Sequence, residues 1–73
     1  MKQTQYTGLF KSEEDHQYKI VVYGFGFIEA LILLTAEAIK SGKHYQLHTI
    51  TDEDHNCTKR VDSILKISSL FID

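Results

Sequence analysis

Residues Phe27–Ser41 read FIEALILLTAEAIKS, and the reading of this stretch decides the fold. At about 100° per residue, Phe27, Leu31, Leu34 and Ala38 fall on one line of a helix. Ile28, Ile32, Thr35 and Ile39 form a second line beside it, with Glu29, Glu37 and Lys40 on the opposite side. Leu33 falls among those charges and is expected in water. Ala, Leu, Glu and Lys favour helix, and only Ile and Thr cost a little. Glu29 in the first turn and Lys40 in the last suit the helix dipole. Gly42 predicts the stop, because a left-handed residue after a helix is nearly free for glycine. Gly26 predicts a start that no side chain caps. Two adjacent apolar lines are wider than one sheet face needs. Either the helix sinks deeply into a curved sheet, or the Ile28/Ile32/Ile39 line meets a partner chain.

On the N-terminal side, Gln17–Tyr23 is the strongest strand, with Ile20, Val21, Val22 and Tyr23 in sequence. Tyr18, Ile20 and Val22 point one way, and Lys19, Val21 and Tyr23 the other. Apolar side chains on both faces predict a place in the middle of a sheet. Gln3–Phe10 alternates loosely and predicts an edge strand. KSEEDH, from Lys11 to His16, is a charged turn between them. On the C-terminal side, Lys43–Thr51 alternates, with Tyr45, Leu47 and Thr49 on one face and His44, Gln46 and His48 on the other. DEDHN, from Asp52 to Asn56, predicts a hairpin loop, and Cys57–Val61 the antiparallel return. The last stretch fits either period. A helical turn near Asp62–Leu65 and then a strand over Lys66–Ile72 is expected from its β-branched and aromatic content.

Seventy-three residues make one domain at the small end of what folds unaided, which favours self-association. The composition, 42% apolar and 25% charged, is that of a globular chain. With a net charge of −2 and no Lys- or Arg-rich run, a basic field for duplex DNA or anionic membrane is missing. Cys57 is the single cysteine, which excludes an internal disulfide and fits a reducing, cytoplasmic setting. The first residues show no cationic and apolar leader, so no secretion signal is expected. The most apolar window, Phe25–Ala36, is interrupted by Glu29 and too short to span a bilayer.

Four patterns invite a chemistry. Gly24-Phe25-Gly26 between strand and helix has part of a dinucleotide-binding turn, but Glu29 stands where the third small residue belongs and faces where a pyrophosphate would lie. Asp52-Glu53-Asp54-His55-Asn56 begins like a calcium loop, yet Cys57 replaces its glycine and Ser63 its closing glutamate. His44 and His48 share a strand face roughly 13 Å apart, too far to chelate one ion. Cys57 has His55 nearby but no evident orienting third group, so no catalytic site, metal or cofactor is expected.

Gly24-Phe25-Gly26-Phe27-Ile28 resembles the middle of the RNP1 segment of RNA-recognition motifs. The resemblance covers these five residues, with Tyr23 in place of a basic residue and Ala30 in place of an aromatic. It implies a strand here whose aromatics stack bases.

The expected fold is α+β, an antiparallel sheet of four or five strands with one helix across a face. The leading expectation for function is a non-enzymatic cytoplasmic module that self-associates or docks on a larger protein. Its contact residues are Ile28, Ile32, Leu33 and Ile39, with Leu70, Phe71 and Ile72 as a possible edge-pairing strand. The alternatives are single-stranded nucleic-acid binding through Tyr23, Phe25 and Phe27 with Lys19 and Lys43, and inhibition or adaptation of a larger enzyme.

Overall fold

The computed structural model describes residues 2–42 and 45–69. In chain order it contains β1 (Thr4–Lys11), β2 (Gln17–Gly24), α1 (Phe27–Ser41), β3 (Gln46–Asp52), β4 (Cys57–Arg60) and α2 (Val61–Ser69). The four strands form one antiparallel sheet in the order β2-β1-β3-β4. The chain is therefore a small α+β fold. Because β2 and β3 both run antiparallel to β1, they are parallel to each other, and α1 is the crossover that parallel strands require.

The positions of the first two strands are the reverse of the expectation. β1 lies inside the sheet and β2 at its edge. Tyr18, Ile20 and Val22 of β2 do pack against the core, while Lys19, Val21 and Tyr23 are exposed on the other face. That outer face has no layer over it among the described residues, so apolar side chains there do not signal a central strand. β1 holds the centre with less apolar content, because Tyr6, Gly8 and Phe10 alone face the helix.

The β1–β2 turn is closed by Ser12. Its N–H donates to the His16 carbonyl (2.9 Å), and its carbonyl accepts from the Asp15 N–H (3.0 Å). Its hydroxyl accepts from the His16 N–H (3.1 Å). β3 carries a bulge against β1: Leu9 pairs with Thr49 and Phe10 with Leu47, leaving His48 as the extra residue. The bulge switches faces. Tyr45 and Leu47 point to the core as expected, but Thr49 turns outward and Ile50 takes its place inside.

Residues Lys66–Ser69, expected as strand, belong to α2, which begins at Val61 directly after β4. Val61 and Ile64, three apart, both pack on the core, and Ile64 is fully buried. A strand's alternation would set them on opposite faces. The expected edge-pairing residues Leu70, Phe71 and Ile72 lie outside the described residues. The core consists of Tyr6 and Phe10 from β1, Ala30 and Leu34 from α1, Ile50 from β3 and Ile64 from α2. Phe10 stacks on Tyr18 (centroids 4.9 Å apart, 12° between planes), and Tyr18 meets Tyr45 at 4.7 Å, closing one end of it. Over Gly8 the helix comes close. A Cβ there would sit 2.7 Å and 2.9 Å from the Leu34 methyl carbons.

Candidate functional site: the outward face of the long helix

The start and stop of α1 are backbone devices. Gly26 caps at φ 154° with no side-chain bond, its carbonyl accepting the Ala30 N–H at 3.0 Å. Gly42 ends the helix in the left-handed region at φ 69°, its N–H donating to the Ile39 carbonyl at 3.2 Å. Between them the helix is rotated so that Ala30 and Leu34 face the sheet, flanked by Phe27, Leu31 and Ala38. Leu33, expected in water, is partly buried. The same rotation turns the second apolar line outward. Ile28, Ile32 and Ile39 are 43%, 63% and 76% exposed.

Thr35, on the same line, donates its hydroxyl to the Leu31 carbonyl at 2.7 Å. With that polar atom bonded inside the helix, the line from Ile28 to Ile39 is apolar in effect. Glu29 and Lys40 border one side of it near its two ends, and both are exposed. At the Ile28 end a cleft of about 330 Å³ opens between α1, β4 and α2, lined by Phe25, Phe27, Ile28, Glu29, Lys59 and Ile64. The Lys59 ammonium stands 4.8 Å above the Phe27 ring centre. Leu65 of α2 is also exposed.

The residues of the nucleic-acid reading do not form one platform. Gly24 ends β2, Phe25 and Gly26 make the turn, and Phe27 and Ile28 begin α1, so the segment is not the strand that the RNP1 resemblance implies. Phe27 is half-buried, edge-on to Tyr6 (5.3 Å, 67°) and covered by Lys59. Phe25 is exposed in the turn, while Lys19 and Tyr23 sit on the outer face of β2. Lys43 lies outside the described residues, as does His44.

The Asp52–Asn56 loop holds an arrangement that residue types did not reveal. Asp52 is almost wholly buried; its Oδ1 accepts the N–H groups of Asp54 and His55 at 3.0 Å each, and its Oδ2 the His55 Nδ1 at 2.9 Å. Burial pushes this carboxyl up, but the hydrogen bonds from the His55 ring and the two amides, with the His55 charge, outweigh it. The Asp52 carboxyl is held below its ordinary value of 3.8. His55 thus has the orienting partner that seemed missing, yet among the described residues no hydrogen bond joins it to Cys57. The carboxylate closes a turn, with Asn56 at φ 53°. The signal in the sequence was an Asp at a strand end followed by a short polar run.

Among the described residues no three His, Cys, Asp or Glu side chains are placed to hold a metal ion, and no helix is long and apolar enough to cross a membrane. Compared with known proteins, the chain matches no family model, no curated protein and no solved structure.

Proposed function

We propose that this chain is a non-enzymatic, cytoplasmic interaction module that associates with a second copy of itself through the outward face of α1. The observation that carries the reading is the Ile28/Ile32/Ile39 line, exposed along the whole length of the helix. Three large aliphatic side chains in a row are more than the single exposed residues that ordinary surfaces carry. The charges support a second copy as the occupant. With two α1 helices antiparallel, Ile28 of one meets Ile39 of the other, and Glu29 comes beside Lys40 at each end. A parallel pair would keep Glu29 of one copy and Lys40 of the other at opposite ends and on opposite sides of the seam, with no such pairing, and align the helix dipoles unfavourably.

The test is sedimentation equilibrium of the wild-type chain and of Ile32→Asp. Burying a whole isoleucine side chain contributes about 1.5–3 kcal/mol. Ile32 is 63% exposed and enters a two-fold contact twice. Its loss then weakens association by about 2 kcal/mol or more, roughly thirtyfold in dissociation constant. A wild-type chain that sediments as a monomer, or an Ile32→Asp chain of unchanged mass, would falsify the reading.

A further inference from the structure

The two edges of the sheet are built differently. β4 is short, reads CTKR, and runs at once into α2. Short length and charge are the usual ways of blunting an edge. β2 has neither protection: it runs eight residues without proline or bulge, and its pairing with β1 is regular from end to end. On its other side it has no strand among the described residues. Alternate residues there direct N–H and C=O groups away from the sheet, a template for one more strand. Both faces offer side chains to a further strand: Ile20 and Val22 pack inward, and Val21 and Tyr23 are 46% and 55% exposed on the outer face. Lys19 is its one charge.

We infer that β2 pairs antiparallel with β2 of a second copy, continuing the sheet across a two-fold axis. The pairing uses a surface separate from the outward face of α1 and stands independently of it. In an antiparallel pair, residues directly opposite point to the same face. A two-fold axis perpendicular to the sheet therefore matches inward residues with inward ones, and keeps both helical layers on one side. In the register centred on Val21, Ile20 meets Val22 of the second copy inside. Outside, Lys19 meets Tyr23, twice by symmetry. An ammonium beside an exposed tyrosine ring is a favourable neighbour. Parallel pairing about a two-fold axis along the strand would put the two helical layers, and the two Lys19 side chains, on opposite faces, and would break the match of inward residues with inward ones. The antiparallel arrangement matches the inward rows and gives each Lys19 a Tyr23 neighbour, and this self-complementarity points to a second copy as the occupant.

With the contact through α1 intact, each copy offers two different two-fold surfaces, so the wild-type chain reaches masses above a dimer. The experiment favours β2 by working in Ile32→Asp, where the helix contact is weakened about thirtyfold or more. Sedimentation equilibrium of that protein is expected to show a dimer. Adding Val21→Lys opposes two lysines at the axis and is expected to raise the dissociation constant about tenfold or more. An equimolar mixture of the Val21→Lys and Val21→Glu proteins, both carrying Ile32→Asp, is expected to recover the dimer. Position 21 lies on the outer face, where a folded copy accepts charge, and far-ultraviolet circular dichroism checks this. Should the lysine variant not fold, amide exchange of Ile32→Asp replaces it. Protection of alternate β2 amides that rises with concentration supports the pairing, and protection independent of concentration overturns it. A monomeric Ile32→Asp protein overturns it as well. So does a dimer that survives Val21→Lys, which would assign the association to a different surface or to a partner strand elsewhere.

Discussion

Replacing Gly8 by alanine tests whether the seat of α1 on the sheet is as tight as the geometry says. The new Cβ would lie 2.7 Å and 2.9 Å from the Leu34 methyl carbons and 3.0 Å from Leu47 Cδ1. Carbon atoms pack best at about 3.5–4.0 Å, so roughly an ångström of displacement is needed. Leu34 is 0% exposed, so its methyl groups give way only against other core side chains. Overpacking of this kind costs about 1–3 kcal/mol. Against it, alanine restricts the unfolded chain and returns about 0.4–1 kcal/mol. The net expectation is a loss of about 1–2 kcal/mol, read in urea as a lower midpoint with an unchanged slope. Leu34→Ala by itself is expected to cost about 2–5 kcal/mol through the cavity it leaves. In the Gly8→Ala background it should cost clearly less, because the new methyl occupies part of that space. A Gly8→Ala protein as stable as wild type, or strict additivity in the double variant, would show that the helix does not press on β1 at this point.

Two further outcomes follow from the turns. The Asp52 carboxyl is lower in the folded chain than its ordinary value of 3.8, so its stabilising contribution is whole above that pH and is lost as pH falls through the lower folded value. Asp52→Ala is therefore expected to be less stable than wild type near neutrality, with the difference closing on acidification; denaturant unfolding of both proteins across that range measures it. Gly42→Ala forces a side chain into the left-handed region at φ 69° and is expected to cost about 1 kcal/mol of thermal stability, with the fold unchanged by circular dichroism.

The long helix was legible in the sequence because one period ran unbroken over four turns between two glycines. The strands were legible as strands but not as neighbours. β2 looks central because Val21 and Tyr23 are apolar, yet whether a face is covered depends on a layer that local sequence does not encode. The bulge at His48 is similarly silent. Alternation from Tyr45 onward carries Thr49 inward on paper, and only pairing with Phe10 and Leu9 reveals the slipped residue. In α2, helix and strand periods share Val61 and Leu65, and burial of Ile64 beside Val61 decides between them. For the candidate site, the width of the stripe left two readings open, and the exposure of the three isoleucines speaks against a deeply sunk helix. The partial burial of Leu33 was not legible, because local sequence does not say how the helix is rotated on the sheet.

The bare start of α1 has a consequence for anyone wishing to copy its surface. At φ 154°, Gly26 cannot exchange its hydrogen for the serine or aspartate that ordinarily anchors a first turn. A free peptide of this length is marginal in water even with a good anchor. A synthetic copy of residues 27–41 would thus spend most of its time uncoiled and compete poorly for a binding partner. A covalent staple across the buried side would supply what the sheet supplies in the intact chain, and would leave the three isoleucines free to engage.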